Sequence, residues 1–87
     1  MSSTTPTGYE CFDDLIRQLR AEGHVQPAAR LHTLLHEVAW TTGSELTGEL
    51  GLTILAFERS GPTVSSDLRR LLDSCMSSVR RRWPDIK

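Results

Sequence analysis

Residues 43–59 read GSELTGELGLTILAFER. This run shows no sustained period-two alternation of the kind a half-buried strand shows. Placed at about 100° per residue around a helix axis, Leu46, Leu50, Ile54 and Phe57 share one face. Leu52, Leu55 and Ala56, with Gly48, cover much of the opposite side. Only Glu45, Glu49, Thr53, Glu58 and Arg59 interrupt. A helix apolar nearly all round is buried on several sides or shared with a partner. A chain of 87 residues has few other helices with which to surround it. Gly48 and Gly51 each cost about 1 kcal/mol relative to Ala inside a helix, and their missing side chains let another backbone come close. That backbone belongs to a neighbouring helix of the same chain or to a second copy. The surplus of apolar surface favours the second copy.

Helical spacing extends in both directions from this segment. Upstream, Leu31, Leu34, Leu35 and Val38 form one stripe, and Pro27 fits a first helical turn because its missing N–H has no intrahelical partner there. Thr42 and Glu45 match a capping box at the start of the third helix. Further upstream, Phe12, Leu15, Ile16 and Leu19 recur at i, i+3, i+4, i+7, with Asp13 and Asp14 in the first turns and Gly23 as a left-handed stop. Downstream, Ser60-Gly61-Pro62 ends the third helix and Thr63 or Ser65 caps the fourth. Its stripe is Leu68, Leu71, Leu72, Cys75, Val79 and Trp83, and Pro84 closes it. The expected elements are helices at about 8–22, 27–41, 43–59 and 65–83, after a polar, flexible tail at 1–7. Short loops between helices imply antiparallel neighbours, hence an all-α, compact four-helix bundle of up-and-down type; irregular orthogonal packing of the same helices is the alternative. The expected core contains Phe12, Ile16, Leu19, Leu31, Leu35, Val38, Leu50, Ile54, Leu68, Leu72, Cys75 and Val79.

Composition narrows the function. Ten Lys and Arg against eleven Asp and Glu give a net charge of −1, which excludes a generally basic, nucleic-acid-coating chain. So small a domain has little room for a deep, water-excluding active site. The N-terminus lacks the basic and apolar regions of a signal peptide, and the longest near-apolar run, Leu50 to Phe57, is far short of the ~20 residues that span a bilayer. A cytoplasmic, reducing setting with free thiols is expected. Cys11 and Cys75 match no CxxC spacing and fall on apolar or boundary helix faces, where a free Cys is at home.

Three constellations bear on chemistry. His32 and His36, at i and i+4, are able to grip a metal from one face, with His24 as the nearest third ligand. The row continues to Trp40 and flanks the Leu31/Leu35 stripe, so a half-buried boundary face explains it as well. The string H-T-L-L-H-E lacks the Glu that must follow the first His in a zinc protease. Arg69, Arg70, Arg80, Arg81 and Arg82 on the fourth helix form a candidate phosphate contact. Against this, Arg69 is spaced to pair with Asp73 at i+4, and cations suit a helix C-terminus. A helix-turn-helix reader is excluded, because the third helix carries Glu45 and Glu49 and no cation before Arg59. No nucleophile elbow, P-loop or dinucleotide fingerprint is present.

The resulting expectation is a small non-enzymatic helical interaction protein without a cofactor. It homodimerises through Gly48, Leu52, Leu55 and Ala56, with Trp40 at the rim, and binds another protein. Two alternatives are a small-ligand or metal-binding module built on His32 and His36, and a nucleic-acid accessory protein using the arginines of the fourth helix. No membrane partner is expected.

Overall fold

The computed structural model describes residues 9–38 and 43–86. The tail at 1–7, Trp40 and the Thr42 cap lie outside these. Four α-helices are present among the described residues: α1 (Glu10–Ala21), α2 (Val25–His32), α3 (Gly43–Arg59) and α4 (Ser66–Arg82). No strand occurs among them. Helix α1 packs on α2 and α4, and α3 packs on the same two helices, giving an all-α four-helix bundle. Every expected core residue but Val38 is buried, and Leu15, Ala28, Leu34, Leu46, Leu55 and Met76 join them.

The punctuation follows the backbone. Gly23 (φ +86°) and Gly61 (φ +71°) adopt the left-handed conformation open to glycine at low cost, and each follows a helix. Ser65 is the N-cap of α4, its Oγ accepting from the Leu68 N–H at 3.0 Å. The same Ser65 donates its N–H to Glu22 Oε1 (3.1 Å) and its hydroxyl to Glu22 Oε2. A carboxylate just past the end of α1 therefore holds the start of α4. Hydrogen bonds from Ser65 and then Gln18, set against slight desolvation, hold the Glu22 carboxyl below its usual range.

Helix two departs from the expected span. It begins at Val25, and after His32 it widens into a π turn, Thr33–Glu37. The Val38 N–H closes it on the Thr33 carbonyl at 3.2 Å, an i→i+5 bond. The wider turn delays the side-chain rotation, so Val38 falls off the Leu31/Leu35 stripe. It adopts an extended conformation (φ −102°, ψ 135°) and is 40% exposed rather than part of the core.

The close approach of α3 and α4 accounts for both glycines. A Cβ on Gly51 would lie 2.6 Å from Val79 Cγ1 and 2.9 Å from Ile86 Cδ1. A Cβ on Gly48 would lie 3.3 Å from the Trp83 indole, whose Nε1–H donates to the Ser44 carbonyl at 2.8 Å. The glycines thus serve an intrachain contact, correcting the expectation that they admit a second copy.

Candidate functional site

Of the residues expected on the partner-facing side of α3, Leu55 is drawn into the chain's own core. It lies about 100° round the helix from Ile54, on a wall that the core still covers, so it is not surplus surface. Gly48 is half-covered by Trp83. Leu52 and Ala56 remain outward, and Leu52 is 55% exposed. Leu52 forms a ridge between two grooves. One, of about 570 Å³, runs between α2 and α3 past Pro27, Arg30, Glu49, Ala56 and Phe57. The other, of about 230 Å³, lies toward the end of α4 against Gly48, Trp83 and Ile86. Trp83, expected only as the last residue of a core stripe, is 43% exposed and contributes to this surface. Its indole is aimed by the bond to Ser44, which sequence spacing does not reveal.

The histidines are drawn to carboxylates. His36 Nε2–H donates to Asp13 Oδ1 at 2.7 Å, tying the π turn to α1. His32 Nδ1 lies 3.2 Å from Glu37 Oε2, and the two imidazole centroids are 5.0 Å apart. His24 instead donates from Nε2 to the Thr63 carbonyl (3.2 Å) and meets Phe57 edge-on. Among the described residues no three His, Cys, Asp or Glu side chains converge to hold an ion.

The arginines do not form one basic face. Arg69 Nη1 pairs with Glu58 Oε2 at 3.0 Å, bridging α4 to α3, in place of the expected Asp73 pairing. Arg70 approaches Asp67 at 3.8 Å. Arg80, Arg81 and Arg82 are exposed in the last turn of α4.

No family model, curated protein or solved structure matches this chain. Among the described residues no helix is long and apolar enough to cross a membrane.

Two polar contacts escaped the spacing arguments because they join distant segments. Thr47 is buried, and its Oγ1 shares a 2.7 Å hydrogen bond with the Tyr9 hydroxyl. Cys11 and Cys75, read separately from sequence, lie on α1 and α4, which pack together. Hydrogen bonding from Cys75 and from Ser78 favours the Cys11 thiolate. These bonds, with the Cys75 one strongest, outweigh burial and the nearby Asp14 charge and bring the Cys11 thiol down to about 7. Cys75 is pushed up, first because its proton is held in that bond and then by burial.

Proposed function

We propose that this chain is a small non-enzymatic helical interaction protein that homodimerises through the outward face of α3, in a reducing compartment. The observation that carries the reading is the exposed Leu52 standing between two grooves. A large apolar side chain flanked by concave surface suits a partner of matching relief.

The pattern along α3 favours a second copy as that partner. Glu45 and Arg59 lie seven residues before and after Leu52, and Gly48 and Ala56 lie four before and after. At about 100° per residue all four positions fall within about 40° of Leu52. An antiparallel pair with its two-fold axis at Leu52 sets Glu45 opposite Arg59 of the partner and Gly48, with the Trp83 indole that covers it, opposite Ala56. The same patch is then its own complement, as a two-fold interface requires. One helix face of this length is at the low end of interface size, so the dimer forms with concentration rather than obligately.

The test is solution mass by light scattering across a concentration series, with Leu52→Glu as the disrupting variant. The expected result is a wild-type mass rising toward twice that of one chain, and a folded monomer for L52E. Glu45→Arg should weaken the dimer, and adding Arg59→Glu should restore it. A wild type that stays monomeric at high micromolar concentration overturns the reading. Leu55→Glu is unsuitable, because it would bury a charge in the core.

A further inference from the structure

We propose that the groove between α2 and α3 seats the first half of α3 from the second copy, with Arg30 pairing with Glu49 of the partner subunit. This rests on the dimer reading above and adds α2 to the interface.

The groove lies to one side of Leu52. At about 100° per residue, Glu49, Thr53, Ala56 and Ser60 fall about 60°, 100°, 40° and 80° from Leu52, all in the same sense and all lining the groove. Pro27 and Arg30 form the α2 wall. Of the α3 residues in the groove, Glu49 precedes Leu52, and Thr53, Ala56, Phe57 and Ser60 follow it, so the groove runs mostly beyond Leu52.

Two opposite charges border this groove, and neither is used inside the chain. Among the described residues the side chains of Arg30 and Glu49 enter no ion pair. Glu58 on the same helix is, by contrast, taken by Arg69. Arg30 is exposed, and Glu49 is half-buried beside the Leu52 ridge.

The two-fold axis at Leu52 brings these charges together between copies. An antiparallel partner sets each residue opposite the one lying equally far on the other side of Leu52. Glu49 is three residues before Leu52, so the partner's Glu49 comes level with Leu55, about 4.5 Å beyond Leu52 along the axis. A two-fold axis across α3, in the plane of the interface, keeps the α2 side of one copy against the α2 side of the other. The partner's Glu49 therefore enters the groove between Thr53 and Ala56, facing the wall that carries Arg30. The planar fork of a guanidinium suits a carboxylate there, and symmetry makes the pair twice. A parallel pair would set the α2 side of one copy against the α4 side of the other. Arg30 and the partner's Glu49 would then stand on opposite edges of the interface. The ion pair thus selects the direction in which two copies meet, which an apolar ridge alone does not.

The experiment takes the full chain carrying Arg30→Glu and the full chain carrying Glu49→Arg, each alone and as an equimolar mixture. Light scattering reads the mass across a concentration series at low salt. Each variant alone sets like charges together twice, so its dimer Kd should rise several-fold. In a mixed dimer every position 30 faces the opposite charge at position 49 of the other chain. The mixture should therefore dimerise within about twofold of wild type, and its advantage over the single variants should shrink at high salt. Mixing does not repair a pair made inside one chain, so rescue reports contact between chains. Circular dichroism checks folding, and Arg30→Asp with Glu49→Lys repeats the cycle if either variant fails. A mixture no tighter than its components, with wild type dimeric and L52E monomeric, overturns this seat and leaves the dimer standing. Single variants that dimerise as tightly as wild type overturn it equally. A wild type that stays monomeric at high micromolar concentration overturns both.

Discussion

Gly51 shows how much one missing methyl group decides. With Val79 and Ile86 already inside van der Waals contact of a would-be Cβ, Gly51→Ala should lower stability by about 1–3 kcal/mol despite the better helix propensity of Ala. Gly48→Ala is the informative control. Its Cβ would press only on the rim of Trp83, an exposed side chain that can give by a few tenths of an ångström. Chemical denaturation of the pair should therefore separate them, with G48A near wild type and G51A clearly weaker. Leu72 is 1% exposed, and Leu72→Ala should cost about 2–5 kcal/mol, as removal of packed methyl groups does. Equal melting of L72A and wild type would mean that α4 does not present this face to the core.

Among the elements, the start of α4 has the most explicit support. The Leu68 N–H bonds Ser65, and Ser65 bonds Glu22 at the end of α1. Ser65→Ala should cost about 0.5–2 kcal/mol, the range for losing an N-cap. The linkage to pH has a definite sign. The folded Glu22 carboxyl titrates below its ordinary 4.5, so its contribution is complete above that value and is lost as pH falls through the lowered one. Removing Ser65 removes the main cause of the shift, so S65A should lose less stability than wild type between neutral and acid pH. Parallel acid titrations followed by circular dichroism would check this. An equal acid sensitivity of the two would assign it to other carboxylates.

For the whole molecule, the outward face of α3 carries the functional reading. A charge reversal at one end of the antiparallel register, Glu45→Arg, brings like charges together in each half of the pair. Exposed ion pairs contribute about 0–1 kcal/mol, so the dimer Kd should rise a few-fold and recover when Arg59→Glu is added. Raising the salt concentration should narrow the differences among these variants, because exposed charges are screened. Light scattering at two ionic strengths would read both effects. Arg80, Arg81 and Arg82 contribute separately. Replacing all three should destabilise modestly, because each cation near a helix C-terminus is worth about 0.3–1 kcal/mol.

The 3.6-residue spacing of Phe12 to Leu19, Leu31 to Leu35, Leu46 to Phe57 and Leu68 to Val79 was sufficient by itself to determine four helices and nearly all of the core. Each stripe is a local pattern with one way to hide from water. Gly23, Gly61 and Ser65 were legible for the same reason, since turn and cap chemistry acts over a few residues. Val38 was not, because a π turn has no period of its own in the sequence and reveals itself only where the chain leaves the stripe. Tertiary packing alone decided what covers Gly48 and Gly51, which wall takes Leu55, and which acid each of Arg69 and His36 finds. These contacts join residues remote along the chain, and their partners are set by how the helices lie against one another, a quantity that no single helix encodes.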